Sequence, residues 1–94
     1  MIEESRYTVE FSDDFEKELK KLSSIDEALV LRKIIEFEKN PFHPSFRTKK
    51  MRGITGYYES SVNMDIRVLW YFQDNKIIIM MDVGHHDILK KHRL

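Results

Sequence analysis

An α+β fold is predicted for this chain: a mostly antiparallel four-stranded sheet with an N-terminal helical hairpin packed on one face, in the order β-α-α-β-β-β. Three observations predict it. The first half holds two short stretches with helical apolar spacing, joined by a tight turn. The second half holds three stretches rich in β-branched and aromatic residues. Ahead of the helices, one short run alternates such residues with polar ones. Ninety-four residues make a single domain, 1–94, with a small core.

Taken in order, Tyr7-Thr8-Val9-Glu10-Phe11 is the alternating run and reads as a half-buried strand. Ser12 then offers an N-cap, and Asp13 and Asp14 place negative charge where a helix dipole favours it. Phe15, Leu19 and Leu22 fall at helical spacing, so the first helix is expected over 13–22. Ser24-Ile25-Asp26-Glu27 fits a capping box opening the second helix. Its expected apolar stripe is Ala28, Leu31, Ile34 and Ile35, and Asn40-Pro41 ends it because proline cannot continue the ladder. Strands are expected over 57–62, 66–73 and 76–83, with Asp74-Asn75 turning the last two into an antiparallel hairpin. The tail from Asp87 to Leu94 is short, polar and basic, with room for a helical turn or two.

Composition narrows the classes of function. The chain is 41% hydrophobic and 34% charged, which argues for a folded globular protein over a disordered one. It has no cysteine, which excludes disulfides, thiolate metal sites and thiol nucleophiles, and suits a cytoplasmic protein. No apolar run approaches the roughly 20 residues of a membrane span, and the start, Met1-Ile2-Glu3-Glu4, is acidic where a signal peptide is basic. A net charge of zero hides an asymmetry. Residues 1–44 carry 11 acids and 7 Lys/Arg, whereas residues 45–94 carry 5 acids and 9 Lys/Arg besides His85, His86 and His92. A local positive field is what phosphate binding requires.

Three features in the basic half could carry chemistry. Phe46-Arg47-Thr48-Lys49-Lys50-Met51-Arg52-Gly53 places four cations within six positions and no acid among them. On a strand-like path Lys50 and Arg52 face one way, Lys49 and Met51 the other. Arg67 is the one cation in Ile66-Arg67-Val68-Leu69-Trp70-Tyr71-Phe72, a strand otherwise apolar on both faces. Burying an unpaired guanidinium is costly, so it pairs with a carboxylate such as Asp65 or Asp82, or it faces a polar cleft, where its planar fork matches phosphate oxygens. Asp82-Val83-Gly84-His85-His86-Asp87 puts two imidazoles where the chain leaves the sheet, suited to proton transfer near neutrality. Consecutive strand residues point to opposite faces, and no ligand spacing of a metal site accompanies them, so no metal is expected. Cleaving RNA without a metal needs a base for the 2′-hydroxyl, cations for the phosphorane charge and an acid for the leaving 5′-oxygen. His, Arg and Lys can fill these roles at neutral pH.

Several segments together resemble the RelE/ParE superfamily of toxins, over nearly the whole chain. They are Tyr7-Thr8-Val9-Glu10-Phe11-Ser12, Asn40-Pro41, Lys50-Met51-Arg52-Gly53 (similar to the family's K-L-x-G), Gly56-Tyr57-Tyr58, Ile66-Arg67-Val68-Leu69-Trp70-Tyr71 (similar to its Y-R-[LIV]-[LIV]-Y strand) and Val83-Gly84-His85-His86-Asp87 (similar to its V-G-[HK]-R stretch). The resemblance implies a cytoplasmic toxin of a toxin–antitoxin pair, held inactive by its antitoxin. It also implies a metal-independent endoribonuclease acting on mRNA, at the ribosome, without a cofactor. On matching positions Arg67 stabilises the transition state, His85 or His86 moves the proton, and Lys50 and Arg52 bind phosphate. Asp65 resembles an active-site aspartate of the YafQ-type branch. Arg47, Lys49, Lys90 and Lys91 extend the expected RNA-binding set. In place of the usual arginine of V-G-H-R stands His86, and Leu89 occupies the neighbourhood of the family's C-terminal tyrosine. Two other readings remain: a ParE-like gyrase inhibitor, which has no catalytic need of histidine, and an inactive member that only binds its antitoxin.

Overall fold

In the computed structural model, residues 6–92 are described, apart from the side chain of Lys91. The elements are β1 (Thr8–Phe11), α1 (Asp13–Lys20), α2 (Ser24–Phe37), a 3-10 turn (Pro44–Phe46), β2 (Lys49–Lys50), β3 (Tyr57–Ser61), β4 (Ile66–Phe72), β5 (Ile77–His85) and a C-terminal 3-10 helix (His86–His92). The sheet order is β1-β5-β4-β3-β2. Strand β1 lies parallel to β5, because the helical hairpin carries the chain across the sheet; all other pairs are antiparallel. The α+β class and helical hairpin stand as expected, but the sheet has five strands where four were expected. The extra one is Lys49–Lys50, inside the basic stretch, which pairs with Tyr58 and Glu59 of β3. No helix among the described residues is long and apolar enough to cross a membrane.

Local chemistry explains both helix starts. The Ser12 hydroxyl accepts the Phe15 N–H at 3.0 Å and donates to the Met81 carbonyl at 3.0 Å, so one side chain caps α1 and ties it to β5. Helix α1 stops at Lys20, two residues short of the expected end, and Leu22 packs on the core from the turn. The cap of α2 is Ser23, which accepts the Asp26 N–H at 3.1 Å, so the box begins one residue earlier than expected. The buried face of α2 also differs. It consists of Val30, Ile34 and Phe37, while Leu31 and Ile35 of the expected stripe stay exposed. The large ring of Phe37 selects that face, meeting Trp70 edge-on at 5.1 Å and Phe46 at 5.2 Å.

One face of the sheet packs on the hairpin around Trp70, which is fully buried. A chain of hydrogen bonds satisfies its polar edge. The indole N–H donates to the Ser60 hydroxyl at 2.8 Å, that hydroxyl shares a 2.6 Å bond with Thr48, and the Thr48 hydroxyl donates to the Pro41 carbonyl. Since Thr48 spends its proton on Pro41, Ser60 must donate to Thr48. The run pins the first residues of the basic stretch against β3.

The opposite face carries a smaller cluster, Met51, Leu69 and Ile88, under the C-terminal 3-10 helix. Gly84 of β5 makes that approach possible: a Cβ there would lie 3.3 Å from Ile88 Cδ1. A bulge in β5 decides which of its side chains reach this face. Leu69 pairs with Asp82 but Trp70 pairs with Met80, so Met81 is the extra residue. Without it, Met80 and Asp82 would share a face. With it, Met80 joins the Trp70 core and Asp82 turns to the face of Leu69.

Candidate nucleic-acid interface

Asp65, just before β4, is the hub of the strand-end residues. Its carboxylate accepts a hydrogen bond from His85 Nδ1 at 2.6 Å and another from His86 Nδ1 at 3.1 Å. Adjacent residues reach one carboxylate because His85 ends β5, paired with Ile66, while His86 already turns into the 3-10 helix. All three side chains are at least half exposed. The bonds from His86 and then His85 hold the Asp65 carboxyl down at about 2. Asp65 in turn, through that hydrogen bond and its charge, raises the pKa of His85 above 6.5. With Nδ1 of both rings committed to Asp65, Nε2 of each is the nitrogen left to a substrate. A neutral ring so held presents an acceptor, and a protonated ring a donor.

Arg67 lies two residues on, opposite Gly84 in the β4–β5 ladder. Its partner is neither of the expected carboxylates. Nε sits 3.7 Å from Glu59, and Nη1 donates to the carbonyls of Asn63 at 2.9 Å and Ile66 at 3.3 Å. Pairing decides this: Glu59 faces Leu69, so Arg67 is its diagonal neighbour on the same face, whereas Asp65 is engaged by two histidines and Asp82 by His92. Glu59 also lies 3.9 Å from Lys49 Nζ, so one largely buried carboxylate stands between two cations.

The basic stretch lines a cavity on this face, between β2 and the C-terminal 3-10 helix. Lys49, Lys50, Met51 and Arg52 form one side, Glu59 the floor, and Leu89 and His92 the other side. The tight entry into β3 rests on Gly53 and Gly56, whose φ values of 81° and 89° lie where side chains are rarely tolerated. Arg47, with φ of 47°, ends the 3-10 turn in a left-handed conformation and is exposed outside this cavity. Lys90 is exposed on the C-terminal helix; the side chain of Lys91 lies outside the described residues.

The expected residues therefore fall into three sets: Asp65, His85 and His86 bonded together at the strand ends, Arg67 nearby on β4, and Lys49, Lys50 and Arg52 around the cavity. Glu59 connects the last two through its contacts with Arg67 and Lys49. Sequence reasoning missed Glu59 and His92, and weighed Asp82 only as a partner for Arg67. Asp82 is buried and accepts from its neighbour Val83 N–H at 2.9 Å, with His92 Nε2 at 2.8 Å from its other oxygen. A signal for His92 did exist. In a 3-10 helix, positions three apart eclipse one another, so His86, Leu89 and His92 share one face.

The molecule is thus an α+β protein whose open sheet carries an imidazole–carboxylate cluster at its strand ends and a basic cavity on the side away from its helical hairpin. Among solved structures, that fold is the one of RelE-type toxins. A chain of the RelBE2 toxin–antitoxin complex from Mycobacterium tuberculosis superposes with a TM-score of 0.74 at 21% identity, covering 86% of this chain and 99% of that one. A chain of the archaeal RelE–RelB complex from Pyrococcus horikoshii OT3 gives 0.69 at 20% identity, over 85% and 94%. One of the Escherichia coli DinJ–YafQ complex gives 0.63 at 17%, over 88% and 97%. At these identities the likeness is one of fold. No family model and no curated protein matches the sequence.

Proposed function

We propose that this protein is the toxin of a toxin–antitoxin pair and acts as an endoribonuclease on mRNA, by attack of a 2′-hydroxyl on the adjacent phosphate. One observation carries the reading: two imidazoles share one carboxylate through Nδ1, which leaves the Nε2 of each ring for proton transfer. In the proposed reaction His86 takes the proton of the 2′-hydroxyl as its oxygen attacks phosphorus. Arg67 stabilises the charge that builds on the phosphorane. His85, whose protonated form Asp65 favours through Nδ1, donates its Nε2 proton to the departing 5′-oxygen. The products are a 2′,3′-cyclic phosphate and a 5′-hydroxyl end. Lys49, Lys50 and Arg52 carry the strand electrostatically, with Arg47, Lys90 and Lys91 adding positive charge around it. The first two structures above come from complexes whose names pair a toxin with an antitoxin, or RelE with RelB, and a cognate antitoxin is the proposed partner in the cytoplasm, with the ribosome presenting the message.

The test incubates purified protein with mRNA, with and without ribosomes and with a chelator, and maps the ends of the fragments. Cyclic-phosphate ends formed in the presence of the chelator are expected. His85→Ala, His86→Ala and Arg67→Ala should each lower cleavage by roughly two orders of magnitude or more. Undiminished cleavage by all three would reject the assignment. Intact messages together with arrested DNA supercoiling would favour the gyrase-inhibitor reading instead.

A further inference from the structure

The cavity between β2 and the C-terminal helix has a volume of about 390 Å³, inside the roughly 300–1,000 Å³ range of small-ligand sites. Its walls divide by chemistry. Lys49, Lys50 and Arg52 supply positive charge, while Met51 and Leu89 supply apolar surface. A ligand with an anionic group beside a flat, weakly polar body fits such a lining, and a nucleotide has both parts.

His92 completes the wall, and its setting is that of a placed group. It is only 22% exposed, and Nε2 is fixed at 2.8 Å on Asp82, itself 3% exposed. A buried carboxylate that anchors one ring nitrogen sets the orientation of the other. Asp82 reaches this face only through the Met81 bulge. His92 also shares its 3-10 face with His86, two turns and about 12 Å away along the axis. The strand-end cluster and the cavity are therefore two stations along one helix face.

We propose that this cavity is a nucleotide subsite for single-stranded RNA next to the Asp65–His85–His86 cluster. In it His92, oriented by Asp82, bonds a backbone phosphate, and the base rests on Met51 and Leu89. The proposal builds on the RNA-cleaving reading above, and extends it to where the strand lies beyond the scissile bond. With Nε2 on Asp82, Nδ1 is the ring nitrogen left for the phosphate. Glu59 opposes the phosphate, because it competes for Lys49 and repels a second anion.

The experiment measures binding of a 2′-O-methyl oligoribonucleotide, which lacks the attacking hydroxyl, by fluorescence anisotropy. His92→Gln keeps an amide N–H for Asp82, so the helix end stays attached, but loses the ring's second nitrogen. It should weaken binding about tenfold, the scale of a hydrogen bond to a charged group. Glu59→Gln should tighten binding severalfold. In parallel, the His92 ring resonances should shift on addition of the oligonucleotide. Unchanged affinity in His92→Gln with unmoved His92 resonances, or no binding by wild type, overturns the subsite. If wild type still cleaves mRNA in that case, the nuclease reading stands alone. If wild type binds through His92 yet cuts nothing, the subsite stands and the nuclease reading falls.

Discussion

Asp65 holds two imidazoles at once, and this governs how the cluster responds to pH. Its carboxyl, drawn from 3.8 to about 2, stabilises the fold above the ordinary value, and that contribution is lost as pH falls through about 2. His85 is shifted the other way: its contribution is full below 6.5 and lost as pH rises through the raised value. Both describe one shared interaction, so the cluster is tightest between about pH 4 and 6.5. If His85 is the acid of the proposed reaction, Asp65→Asn removes what retains its proton. The alkaline limb of the kcat/KM profile should then move to lower pH, with a loss of at least about tenfold in rate. A limb that stays in place would separate Asp65 from the chemistry. The place of His85 and His86 was legible in sequence because a glycine precedes them where the strand ends, whereas Asp65 entered only as a partner for Arg67, which it is not, and through the family resemblance. Glu59 was not legible, since in an alternating strand it looks like an outward residue; only the covering 3-10 helix and the Met51 loop bury it.

Among the elements, the C-terminal 3-10 helix does most to shape the site, and its sequence reveals it least. Seven residues of that kind have little intrinsic stability, so attachment decides their structure. The attachments are Asp65 on His86 at the start, Ile88 over Gly84 in the middle and Asp82 on His92 at the end. Gly84→Val would press branched methyls into Ile88, which already lies 3.3 Å from where a first Cβ would be. The helix should lift, amide exchange of residues 88–92 should rise, and stability measured by urea should fall by about 1–3 kcal/mol. Wild-type exchange rates in Gly84→Val would show that the helix is held some other way. Helix α2 teaches a related lesson. Its sequence permits two apolar stripes, and the one through Val30, Ile34 and Phe37 is buried because Phe37 meets Trp70 and Phe46, residues distant in the chain.

Across the chain the excess of cations falls in its second half, with those of residues 47–52 and Arg67 among the sheet strands and their connections. Binding of single-stranded RNA should therefore weaken with salt, and each phosphate contact removed should lower the slope of log K against log salt by about 0.7. Lys49→Ala tests this, since its exposed side chain can leave without unfolding anything. An unaltered slope would place the strand elsewhere. By itself the sequence determined the class of fold, the cap at Ser12 and the strand-end position of the histidines, because each depends on residues within a turn or two of one another, whereas α2 stops at Phe37, ahead of the expected stop at Asn40-Pro41. Tertiary structure alone decided that Arg67 meets Glu59, that Asp82 faces His92, that Lys49–Lys50 becomes a strand, and which side of α2 is buried. Those outcomes depend on strand register and on a one-residue bulge, and register is settled by all the strands together.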